Sequence, residues 1–244
     1  VFGSLIAEIR QWYKDYTKGL SPLPTVALIS VAVLIVIAEI YGNTSFYRKN
    51  LAFGDIHENA FLSLMPHIYW FFSSFVLYLI APILILKIFG KSLKDFGLRL
   101  GDWQLGLKAL LVFSVVMIAV VAVVLHTPTF ARHYPLNKNA LQGISFFLAY
   151  EFFYVLYFFA WEFVFRGFLL FSLKEVMGNY AILVQMVPFA ILHIGKPAPE
   201  VFASIFAGLL LGVFALKTRS MIYCFLLHAI SAVAMDLAVF LTTR

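Results

Sequence analysis

One cysteine, Cys224, stands in 244 residues, and it lies in an apolar segment. A lone thiol excludes an intrachain disulfide and a cysteine-based zinc cluster. Charge is the next scarcity: Asp, Glu, Lys and Arg make up 12% of the chain, about half the share of a soluble globule, against 63% hydrophobic residues. A soluble domain is thereby excluded, and the mean hydropathy of +0.94 points to a polytopic membrane protein. No second composition regime marks a separate soluble domain. The net charge of +6 comes from Lys and Arg scattered among loops. That distribution suits anionic lipid and gives no reason to expect nucleic acid as a partner.

The pattern predicts an all-α bundle of about seven transmembrane spans preceded by an interfacial helix. Residues 1–20 mix Glu8, Arg10, Lys14, Asp15 and Lys18 with Ile9, Trp12, Tyr13 and Tyr16 at helical spacing, as an interfacial helix does, and lack the layout of a signal peptide. Spans are expected at about 24–41, 66–89, 105–126, 143–173, 180–194, 199–216 and 221–241; against the roughly twenty residues that hydrocarbon requires, the fourth, of about thirty, is long and the fifth is short. Residues 1–142 form the interfacial helix and supporting spans, and residues 143–244 the chemistry-bearing helices of one membrane domain. Basic residues cluster at the N-terminus, around Lys87–Lys108, at Lys174 and at Lys217/Arg219. An N-terminus in the cytoplasm, in a cytoplasmic membrane, is expected from that bias, with the C-terminus outside.

Few polar side chains interrupt these runs. Glu39 lies close enough to the end of the first span to reach headgroups. Asp55, His57 and Glu58 form a metal-like corner in a loop, but no second ligand cluster follows at a useful spacing, and no metal site is expected there. The fourth helix is different. Glu151, Glu162 and Arg166 share one face, because steps of eleven and four residues return to nearly the same angle. An ionisable group inside a span costs at least about 2.5–3.5 kcal/mol on insertion scales, so it is normally paired and functional. His193 and His228 add two imidazoles on later helices, and Asp236 follows on the last. The spacing Ser204, Gly208, Gly212 is adequately explained by close helix packing. A carboxylate and two imidazoles meeting in a bundle have the means to activate water and to stabilise an oxyanion. Glu plus two His would also suit zinc, although the chemistry requires no cofactor.

Three stretches in order, Glu162-x-x-Phe165-Arg166-Gly167, Phe189-x-x-x-His193 and His228 in the last apolar helix, resemble the motifs of the CPBP (ABI) intramembrane proteases, which include the type II CAAX prenyl endopeptidases. The resemblance covers about residues 151–236. It implies an intramembrane endopeptidase whose substrate is a membrane-tethered peptide or protein. Glu162, or alternatively Glu151, would act with His193 on water; His228 would support the oxyanion; Arg166 would fix the carboxylate. Two positions depart from the family pattern. Trp161 stands where the family's leading glutamate usually lies, and Ala232 stands where an Asn or Asp follows the last histidine. A non-catalytic, peptide-binding member of the same fold is the alternative these departures raise. A proton-coupled transporter would expect an internal repeat, and none is found.

Overall fold

The computed structural model describes residues 2–53 and 59–243. Asp55, His57 and Glu58 fall outside the described residues. Twelve α-helices, some joined end to end, make up the described fold: α1 (Phe2–Thr17), α2 (Pro22–Tyr41), α3 (Thr44–Asn50), α4 (Ala60–Phe75), α5 (Ala81–Ile88), α6 (Trp103–Val124), α7 (Pro128–His133), α8 (Ile144–Glu162), α9 (Leu170–Met177), α10 (Tyr180–Ile191), α11 (Ala198–Thr218) and α12 (Ile222–Thr242). Two π-helical segments splice them, Val76–Ile80 between α4 and α5 and Phe163–Leu169 between α8 and α9.

Proline and glycine punctuate the chain where a helix must start or stop. Pro22, Pro82, Pro128 and Pro199 sit in first turns, where a missing N–H leaves no intrahelical bond unmade. Asp102 caps α6, its carboxylate accepting from the Leu105 N–H at 3.0 Å.

Among the described residues six helices are long and apolar enough to cross a membrane, including the composite 61–88 and the 34-residue composite Ile144–Met177. Seven were expected. The correction falls on the fifth, because α10 has only 12 residues, about 18 Å of helix against roughly 30 Å of hydrocarbon. It ends where His193, Ile194 and Gly195 leave the helix in a tight turn, with Gly195 at φ 103°. Helix α1 lies outside the core, exposed from Gly3 to Tyr16, as an interfacial helix requires.

Helix α8 is the axis of the bundle: α4 packs along one side of it and α12 along another, while α10 pairs with α11. One core runs from Ala27 to Ala229 and is dominated by aromatics, with Phe71, Tyr150, Tyr154, Phe163, Phe165 and Phe168 fully or almost fully buried. The exposed apolar side chains of α6, such as Leu111, Val115 and Val123, have hydrocarbon as their natural solvent.

The turn before α6 is stapled to the end of α11. Asp102 N–H donates to the Thr218 carbonyl at 2.8 Å, and Arg99 Nε donates to the Arg219 carbonyl at 3.1 Å. Gly101 lies between them at φ 56°, and a Cβ there would stand 1.9 Å from the Thr218 carbonyl oxygen. Gly101→Ala is therefore expected to destabilise the protein by about 2–3 kcal/mol, since backbone strain and a backbone clash act together. Unfolding in mixed micelles measures it. A variant with unchanged midpoint would show that the staple is loose.

Candidate active site

Glu162 is the last residue of α8, and Arg166 sits in the wide π-helical turns that follow. Both side chains are 0% exposed, and Arg166 Nη1 donates to Glu162 Oε1 at 3.2 Å. The guanidinium also lies over the Phe189 ring, 3.8 Å from its centroid, so a face of α10 supplies the remaining stabilisation of the cation. Gly167 makes this closeness feasible: a Cβ there would meet the Phe163 ring at 2.7 Å and the Phe96 carbonyl oxygen at 2.9 Å.

His228, from α12, closes the group. Its Nδ1 stands 2.7 Å from the same Glu162 oxygen that binds Arg166. With an ionised Glu162, Nδ1–H is the donor and Nε2 of the neutral ring is left as an acceptor. His193 is held in the same sense, because its Nδ1 lies 2.7 Å from the Phe189 carbonyl, which can only accept. The two imidazoles stack at 6.3 Å between centroids with planes 17° apart. Phe158 packs against His228 at 4.4 Å, and the Trp161 indole meets His193 edge-on at 5.9 Å.

Above these rings opens a cavity of about 240 Å³, to which Trp161, His193 and His228 contribute but Glu162 and Arg166 do not. The imidazoles therefore meet whatever enters, while the ion pair lies behind them. Rim residues come from elsewhere: Glu39 from α2, His133 from the end of α7, Lys196 from the turn before α11. Lys196 binds Glu200 at 2.7 Å, and the Tyr134 hydroxyl donates to the other Glu200 oxygen at 2.6 Å, tying the α7 segment to α11. Burial holds the His133 imidazole below its usual range, although Glu200 pulls the other way. Burial and Glu200 together push the Tyr134 phenol up.

Of the residues expected at the site, the structure joins Glu162, Arg166 and His228 by direct contact and sets His193 beside them. Glu151 it places elsewhere, eleven residues and about 16 Å along the helix axis from Glu162. There Glu151 faces Asp236 of α12, and the charges of the two act on one another. The two carboxyls hydrogen-bond to one another, and no other N–H or hydroxyl donor among the described residues reaches their four oxygens. Two buried carboxyls in contact must share a proton or repel one another, and Lys138 and Lys196 act on Asp236 only from a distance, so Asp236→Asn, which removes that demand and adds an N–H donor for Glu151, is expected to stabilise the protein by about 1–2 kcal/mol. Thermal unfolding in detergent tests this; a lowered midpoint would mean that the aspartate has a partner worth more than the repulsion.

Glu39 and His133 were missed as parts of the cavity. Glu39 carried a signal in being an acid inside an apolar run, but its place near the span end made headgroup contact a sufficient explanation. His133 carried none, since only the folding of 127–142 back over the bundle brings it there.

Fold and site together define an integral membrane helical bundle with a glutamate, an arginine and two histidines gathered beneath a cavity. Residues 142–234, less than half of the chain, match the family described as Type II CAAX prenyl endopeptidase Rce1-like. The resemblance carried by the three motifs holds for this part of the chain, which is similar to a family of membrane proteases. Neither a curated protein nor a solved structure matches the chain.

Proposed function

We propose that this protein is an intramembrane endopeptidase, acting in the cytoplasmic membrane on a membrane-tethered peptide or protein, with His228 as the general base. The observation that carries the assignment is the 2.7 Å contact between His228 Nδ1 and Glu162 Oε1, beneath a cavity that the histidine lines and the glutamate does not. Glu162 then orients His228 and stabilises the imidazolium, as a buried carboxylate does for a catalytic histidine in other hydrolases. Arg166 donates to the same Glu162 oxygen and holds the carboxylate in place for that task.

Water between the imidazoles gives one proton to His228 Nε2 as its oxygen adds to the scissile carbonyl carbon. Nε2 of His193 accepts the second O–H and fixes the direction of attack. Collapse of the tetrahedral intermediate breaks the C–N bond, and the proton held on His228 passes to the leaving nitrogen, so both rings end neutral. No metal is needed in this scheme.

Trp161 favours a second reading, a peptide-binding member of the fold that does not cleave, because its indole occupies the position of the family's leading glutamate. The two part on one experiment. Purified protein in nanodiscs is given membrane-anchored peptides, and products are read by mass spectrometry alongside binding. Cleavage that His228→Ala abolishes while peptide binding persists supports the protease. Binding without cleavage in wild type supports the second reading.

A further inference from the structure

Glu39 is the one acidic residue lining the cavity that His193 and His228 share. Its carboxylate has no ion-pair or hydrogen-bond partner among the described residues, because the cavity's own lysine, Lys196, is taken by Glu200 at 2.7 Å. The two charges occupy different regions. Lys196 acts on both histidines, whereas Glu39 acts on the hydroxyls of Tyr78 and Tyr157.

The Glu39 region is walled by aromatic rings. Trp70, Tyr157 and Trp161 all line the cavity. The Tyr157 centroid lies 5.6 Å from that of Trp70 and 5.4 Å from that of Trp161, and the Tyr78 ring stands edge-on to Trp161 at 6.0 Å. These aromatics carry negative π faces, and Glu39, itself exposed, is open to whatever enters beside them. An anion there is repelled, an apolar group leaves the carboxylate unanswered, and an organic cation gains from both the carboxylate and the rings.

We propose that this part of the cavity is a cation subsite that selects peptide substrates by a Lys or Arg side chain set apart from the scissile bond. Glu39 supplies the charge and Trp70, Tyr157 and Trp161 supply the faces. The assignment of the cation to a peptide rests on the protease reading above. Lysine, arginine and choline headgroups share the required chemistry, so the source must be separated by experiment.

Anchored peptides differing only in Lys, Leu or Glu at one scanned position are offered to wild type, Glu39→Gln and Glu39→Lys in nanodiscs of choline-free lipid. Affinity is read by fluorescence anisotropy, and cleavage is followed in parallel. At one position, Lys over Leu should raise the affinity of wild type on the order of tenfold, a difference of about 1.4 kcal/mol. Glu39→Gln should erase that preference, and Glu39→Lys should shift it to the Glu peptide. Because the charge reversal predicts a gain for one peptide, misfolding cannot imitate the expected result. The proposal falls if no position shows a Lys preference, or if the preference survives in Glu39→Gln. It falls equally if phosphocholine binds in a Glu39-dependent way while peptides show no charge preference, since the subsite would then serve a lipid. Charge-dependent binding without cleavage would uphold the subsite and sink the protease reading alone. Cleavage with no charge preference would do the reverse.

Discussion

Glu162→Gln is expected to cost the bundle about 3–5 kcal/mol and to stop peptide hydrolysis, two losses with different causes. The stability loss belongs to Arg166. Its guanidinium is 0% exposed and has Glu162 as its acceptor, while Nε and Nη2 have none among the described residues. Taking away the carboxylate charge leaves a buried cation that only the Phe189 ring opposes. A second substitution separates the effects. In Glu162→Gln/Arg166→Met most of the stability should return, because an apolar side chain of similar length in place of a buried charge is tolerated well. Activity should not return, since His228 Nδ1 would still face a neutral amide. Unfolding midpoints and turnover measured on the same preparations make the comparison. A single Glu162→Gln variant as stable as wild type would show that Arg166 finds its counter-charge elsewhere.

His228→Ala is expected to lower turnover by about 10²- to 10⁴-fold with little change in peptide affinity, the range typical of a lost general base. His193→Ala should lower it by about 10²-fold, because the water keeps its base and loses its direction. Glu151→Gln should keep turnover within about twofold, since Glu151 lies about 16 Å along the axis from Glu162 and faces Asp236. Single-turnover rates on one anchored peptide, with folding verified by unfolding midpoint, test the three together. If Glu151→Gln were as damaging as His228→Ala, the base would have to come from the outlying carboxyl pair, and the assignment of His228 would fail.

What could be read from the residues alone divides along the range of the interaction. Glu162 and Arg166 are one helical turn apart, so their pairing follows from spacing, and charge inside an apolar run marked them as functional. The order of His193 and His228 after them carried the family resemblance. Spacing could not say which group each imidazole would bind. His228, expected as support for an oxyanion, is bonded to Glu162, whereas His193 is bonded to the end of the preceding helix α10 through Phe189. Glu151 shares a helical face with Glu162, but a face eleven residues long touches two different neighbourhoods, and Asp236 claims the further one. Helix length was misjudged at α10, where apolar residues continue past the helix end through Leu192 to Ile194 while the backbone has already turned, and at α4, which starts at Ala60 and carries Pro66 inside it. Apolar character sets what a segment is dissolved in; the backbone conformation also depends on Pro188 and Gly195.

The wide turns between Phe163 and Leu169 have a consequence for how such a chain can change length. A π-helical segment holds one residue more than the α-helix that would fill the same rise, and α8 and α9 on either side keep their own packed faces. Losing one codon from this stretch would let it wind into ordinary helix without rotating its neighbours, so the bundle would still assemble. Arg166 would stay within a turn of Glu162 but swing away from the Phe189 ring that covers its guanidinium. A single deletion here thus separates the architecture from the chemistry, whereas the same deletion in the middle of α8 would turn everything beyond it by about 100° and forfeit both.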